Sequence, residues 1–106
     1  MVTELRDYCI VDGKLAEFVA EWRREVLPLR ARHGFTVDRA WIVEGESRFM
    51  WLLSRRGSWD QFNAANEAYY ASPEREGLNP DPARLIKTAT HLRLRAVGRR
   101  PSPLRD

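Results

Sequence analysis

The chain has 106 residues, a single cysteine and a formal net charge of +3. A chain of that length buries one core without needing a metal or disulfides. The lone Cys9 excludes an intramolecular bridge, and no apolar run approaches the roughly 20 residues of a membrane span. The expectation is one soluble cytoplasmic domain with no membrane partner.

Charge is unevenly placed. Residues 84–106 hold seven of the 18 Lys and Arg and one acid, so that segment carries +6 and the first 83 residues −3. Basic tails touch phosphates in nucleic-acid binders. Here "GRRPSPLRD", Gly98 to Asp106, reads instead as a flexible basic tail, 98–106, behind a single domain of residues 1–97. No nucleic-acid partner is expected.

"TELRDYCIV", Thr3 to Val11, is rich in strand formers and stops at the turn pair Asp12-Gly13. From Lys14 the apolar residues Leu15, Phe18, Val19, Trp22, Val26 and Leu29 fall in steps of three and four, predicting one helical face, with Glu17, Glu21, Arg24 and Glu25 on the polar side. Pro28 sits inside that pattern without breaking its phase, so it predicts a bend and not an end. Its missing N–H leaves the Arg24 carbonyl unpaired. The helix closes at His33-Gly34.

"FTVDRAWIVEG" and "RFMWLLS", 35–45 and 48–54, predict two strands joined as a hairpin. "SWDQ" then carries the capping box of a second helix, Ser58 with Gln61, whose inner face takes Trp59, Phe62, Asn66 and Tyr69. Ser72-Pro73 and Asp81-Pro82 predict one-turn helices. "IKTATHLRLRAV", 86–97, alternates as a fourth strand. The order β-α-β-β-α-β predicts an α+β, ferredoxin-like fold: one four-stranded antiparallel sheet with both helices on one face.

A sheet covered on one side should alternate apolar and polar residues. The third strand instead turns Phe49, Trp51 and Leu53 one way and Met50 and Leu52 the other, and Trp41 and Val43 oppose Ile42 on the second. The second apolar set predicts an isologous homodimer packed through the sheet face. An RNA-binding module of the same strand order would need glycines and aromatics that "RFMWLLS" lacks.

His33 and His91 lie on separate elements, with no Cys-x-x-Cys or His-Glu-x-x-His, and the glycines are isolated; neither a metal nor a nucleotide cofactor is expected. Cys9, inside the first strand, reads as a small buried hydrophobe. Tyr8 and His91 are the candidate proton carriers of an apolar pocket. Trp41, Trp51, Asn66 and Tyr69 are candidates for its wall, suited to a flat hydrophobic or aromatic ligand. Arg39 and Arg6 lie inside strands, where they neutralise an anionic group or, the simpler reading, pair with Glu4 or Asp7. A ligand pocket beneath the helices calls for a cavity of about 300 Å³ or more.

"ELRDYCIVDGKLAEFVAEW", Glu4 to Trp22, resembles the opening of NIPSNAP-like proteins, and "VLPLRARHGF", Val26 to Phe35, resembles their next segment, with its in-helix proline and His-Gly-Phe ending. The likeness runs less sharply through "AWIVEGESRFMWLLSRRGSWDQFNAA" and "YYASPE", covering roughly residues 3–97. "RRGS", Arg55 to Ser58, departs from the aromatic usual before the second helix. The resemblance implies the dimeric α+β barrel superfamily, whose members include cofactor-independent monooxygenases, haem-degrading enzymes, isomerases and cyclases. It implies a fold and a dimer more than a reaction. A haem-degrading role would bring Asn66, Trp51 and His91 together. The expected function is a homodimeric, cofactor-independent monooxygenase, isomerase or cyclase; the alternative is a non-catalytic dimer serving as ligand carrier or protein-interaction module.

Overall fold

A computed structural model describes residues 1–98. The expected basic tail, from Arg99 onward, lies outside the described residues. Four strands, β1 (Val2–Ile10), β2 (Thr36–Ile42), β3 (Arg48–Arg55) and β4 (Ile86–Leu94), form one antiparallel sheet in the order β2-β3-β1-β4. This is the ferredoxin-like α+β arrangement read from the sequence. β4 is shorter than expected because its ladder neighbour is β1 alone, and that pairing runs out at Thr3↔Leu94.

The first helix has three parts: α1 (Leu15–Glu21), a π-helical segment (Trp22–Val26) and α2 (Leu27–Arg32). The backbone stays right-handed helical through both junctions. Pro28 does not interrupt it, because the extra residue of the π turn absorbs the misfit: the Leu27 N–H bonds to the Trp22 carbonyl, five residues back. α2 closes with the Phe35 N–H on the Arg30 carbonyl at 3.0 Å and the Gly34 N–H on the Ala31 carbonyl at 3.1 Å. Gly34 at φ 83° supplies the left-handed turn this closure requires.

Ser58 and Gln61 form the expected reciprocal cap on α3 (Trp59–Ala71). Ser72 and Asp81 cap the one-turn α4 (Pro73–Glu76) and a 3-10 turn (Pro82–Leu85). One expectation fails on the first helix: Glu21 is buried, not solvated. The Arg84 side chain of the 3-10 turn lies over it, with Nη1 and Nη2 at 2.6 and 2.8 Å from its carboxylate oxygens.

The core lies between the sheet and the helices, where Tyr8, Phe18, Trp22, Phe49 and Trp51 pack edge to face, and Phe62 does so against Phe35 and Trp59. The other sheet face is open and apolar: Leu5, Met50 and Leu52 are half-buried, and Trp41 and Leu92 are 38% and 49% exposed. Cys9 is also exposed, contrary to the buried reading, because it pairs with Arg48 and Thr88 on that open side. No helix among the described residues is long and apolar enough to cross a membrane.

Candidate functional site

β1 alternates, so Glu4, Arg6, Tyr8 and Ile10 all face the helices. Arg6 is registered against Trp51 on β3, which sets a guanidinium near the middle of the sheet beside an indole. A second arginine reaches the same place from α2. Arg6 and Arg30 are each only 1% exposed. From α3 come Asn66, Tyr69 and Tyr70.

The two guanidiniums share their acceptors. Arg6 Nη1 donates to the Tyr70 hydroxyl at 2.9 Å and Nη2 to Asn66 Oδ1 at 3.4 Å. Arg30 Nη1 donates to the same Asn66 oxygen at 2.8 Å and Nη2 to the same Tyr70 hydroxyl at 3.3 Å. Arg6 Nε donates to Glu4 at 2.8 Å. Arg30 instead lies over the Tyr69 ring, its guanidinium carbon 3.7 Å from the centroid. Arg75 lies over Tyr70 at 5.6 Å and pairs with Asp81 at 3.1 Å.

Charge is therefore unbalanced at one residue. Glu4 answers Arg6 and Asp81 answers Arg75, but every hydrogen-bond partner of Arg30 is neutral. Burial, and then the Arg6 charge, press the Arg30 guanidinium down to about 10, which leaves it a cation at neutral pH. The three tyrosines separate. Burial raises Tyr8, against the pull of Arg6, and raises Tyr69, against that of Arg30. Burial also works to raise Tyr70, but Arg6 and Arg30 together outweigh it and hold that phenol below its ordinary value. The Tyr70 ring is 43% exposed, so its hydroxyl joins the buried arginines to the surface.

These groups line an interior pocket of about 90 Å³, walled by Tyr8, Phe18, Trp22, Trp51 and Tyr69 and bordered by Pro82 and Ala83 of the 3-10 turn. Three of its lining residues carry a buried nitrogen without a hydrogen-bond partner: Trp22 Nε1, Trp51 Nε1 and Arg30 Nε. The π segment contributes Trp22 and Val26 to the wall. The π segment, ending two residues before Pro28, thus stands beside the pocket.

Of the residues picked from the sequence, Tyr8, Trp51 and Tyr69 line the pocket and Asn66 bonds both of its arginines. His91 stands at the exposed sheet edge, its ring 6.4 Å from that of Tyr8; burial of its inner side, then Arg6, hold it below its ordinary value. Trp51 thus lines the pocket and Asn66 reaches it only through its two arginines, while His91 stays outside its wall. Trp41 and Arg39 lie elsewhere, stacked on one another at 5.3 Å on the open sheet face. A register shift between Val37 and Ala40 accompanies that placement, and Trp41 pairs with Met50, not with the helix-facing Phe49. Arg6 does pair with Glu4, two residues away on its own strand, while Asp7 takes Arg48 across the sheet at 2.6 and 2.9 Å. Arg30, Tyr70 and Arg75 escaped the sequence reading. A signal for Arg30 was present, since it continues the row Trp22, Val26, Arg30 in steps of four.

A comparison with curated protein sequences finds no match. Solved structures do resemble the chain. A NIPSNAP family protein from Agrobacterium tumefaciens superposes with a TM-score of 0.84 at 19% identity, covering 99% of this chain and 94% of that one. A NIPSNAP domain protein from Burkholderia xenovorans gives 0.82 at 18% identity, covering 96% and 100%. An antibiotic biosynthesis monooxygenase gives 0.67 at 13% identity, covering 92% and 100%, a likeness of fold. The family model of NIPSNAP matches residues 3–97. The chain belongs to the NIPSNAP family.

Proposed function

We propose that this NIPSNAP chain is a homodimeric small-molecule-binding protein that carries out cofactor-independent proton chemistry on a hydrophobic or aromatic metabolite. The observation that carries the reading is the Tyr70 hydroxyl, held by two buried guanidiniums at the mouth of an aromatic-walled pocket. In its ionised form, favoured by Arg6 and Arg30, Tyr70 takes a proton from carbon next to a ligand carbonyl. The electron pair passes to the carbonyl oxygen, and the same guanidiniums hold the resulting enolate. That enolate is the common first intermediate of isomerisation, of cyclisation and, with dioxygen as co-reactant, of oxygenation. Tyr8, raised by burial, serves as the neutral proton donor, and His91 beyond it passes the proton toward solvent.

The dimer forms through the open sheet face. What supports it is the exposed apolar set Trp41, Leu92 and Leu94 on one surface. A second reading, a non-catalytic dimer acting as carrier or interaction module, draws support from the interior volume. About 90 Å³ falls short of the 300 Å³ expected of a pocket that encloses a whole metabolite. Deuterium exchange into a panel of enolisable aromatic ketones, followed by proton NMR, separates the two. Wild type should catalyse exchange and Tyr70→Phe should lose it. Wild type without exchange on any ketone leaves the carrier.

A further inference from the structure

Three nitrogens in the described chain are buried without an acceptor: Trp22 Nε1, Trp51 Nε1 and Arg30 Nε. All three residues line the same interior pocket, and all three groups are donors. A buried donor with no acceptor is costly and uncommon, and three around one space describe what that space receives. A ligand there is asked for acceptors by these three groups, while the Tyr8 and Tyr69 hydroxyls can either donate or accept. The charge points the same way. Arg6 and Arg75 have carboxylate partners, so one cation, Arg30, is left over.

We infer that the pocket takes the head of a monoanionic organic acid, a carboxylate on a planar apolar body, with Arg30 as its counter-ion. A carboxylate offers two oxygens and about four lone-pair directions, enough for Arg30 Nε and the two indole N–H groups. With the Tyr70 phenol neutral, one negative charge cancels the surplus of one. A phosphate dianion would leave a buried negative charge instead. The volume of about 90 Å³ holds a head group and not a whole molecule, so the apolar body extends past Tyr70 and the 3-10 turn at Pro82 and Ala83. Tyr8, Phe18 and Tyr69 offer that body aromatic surface.

This assignment deepens the proposed function and rests on the same site, but its test does not rely on turnover. Binding of benzoate, of the neutral isostere benzamide and of inorganic phosphate is compared by calorimetry and thermal shift in chloride-free buffer at neutral pH. Benzoate should raise the melting temperature, with benzamide and phosphate at least about tenfold weaker, the loss expected of one charge-assisted contact. Arg30→Met should weaken benzoate by about ten- to a hundredfold. A second readout is the ultraviolet titration of Tyr70. The charged groups facing that hydroxyl are Arg6 from β1, Arg30 from α2 and Arg75 from α4, with Tyr8 and Tyr69 beside them. A bound anion offsets the cations, so benzoate should move the Tyr70 ionisation upward.

Benzamide binding as well as benzoate overturns the anion assignment and leaves a ligand-binding pocket standing. Binding of phosphate alone overturns the organic acid. Deuterium exchange on neutral ketones without benzoate binding overturns this inference and keeps the proposed proton chemistry. If Arg30→Met fails to fold, the wild-type comparison of benzoate with benzamide still decides.

Discussion

Arg6 and Arg30 converge from a strand and a helix on the same two acceptors, the Asn66 amide oxygen and the Tyr70 hydroxyl. Two buried like charges repel, and shared acceptors make their proximity tolerable. Asn66→Ala removes one acceptor from both. The expected cost is about 1–3 kcal/mol of stability, read from the urea midpoint at constant slope. A variant as stable as wild type would show that the amide oxygen contributes nothing to holding the pair.

The chain has three tyrosines, and each is displaced from its ordinary value. A spectrophotometric titration at alkaline pH should resolve one ionisation below about 10 and two above it. Tyr70→Phe should delete the early step and leave the late ones. Because Tyr70 is depressed in the fold, its favourable contribution is complete only above about pH 10 and fades as pH falls through its folded value. Tyr8 and Tyr69 act in the opposite sense, disfavouring the fold where they must ionise.

Leu92 and Met50 belong to the open sheet face, and Leu53 to the closed one. On the proposed sheet-face dimer, wild type should elute as a dimer, and Leu92→Lys with Met50→Lys should give folded monomers by light scattering. Leu53→Ala should instead lose about 2–5 kcal/mol and keep whatever oligomeric state it starts with. A wild-type monomer at micromolar concentration would sink the proposed dimer outright.

The Arg84 fork over Glu21 fastens the 3-10 turn to the first helix, and Arg84 also reaches Glu17 at 3.1 Å. Hydrogen bonding from Arg84 lowers the Glu21 carboxyl below its ordinary value, against a smaller effect of burial. A depressed acid stabilises the fold above its unfolded value, about 4.3, and that contribution is lost as pH falls through the folded value. Arg84→Ala should therefore melt earlier than wild type at pH 7, with the gap narrowing by pH 3. An unchanged gap at pH 3 would mean that Arg84 acts through packing alone.

The strand and helix order was legible because each element announces itself locally: Asp12-Gly13 as a turn, Ser58 with Gln61 as a cap, Gly34 as a helix stop. The site was half legible. Tyr8, Trp51 and Tyr69 are apolar enough to be read as inward. Arg30 and Arg6 were harder, since a charge is presumed to seek water until the structure shows what surrounds it. Glu21 misled for the same reason: its partner Arg84 is 63 residues away in sequence. Trp41 misled because strand alternation fixes which residues share a face but not which face is covered, and a register shift intervened.

The π segment amounts to one residue more than a regular helix needs between Glu21 and Leu27. Each residue of an α-helix turns the chain by about 100°. Removing one residue there, with Pro28→Ala, would yield a more regular helix and a different protein: all that precedes the cut would rotate relative to Arg30, carrying Trp22 off the pocket wall. The spacing between the indole and the guanidinium is thus a setting of the site, written in chain length as much as in side chains.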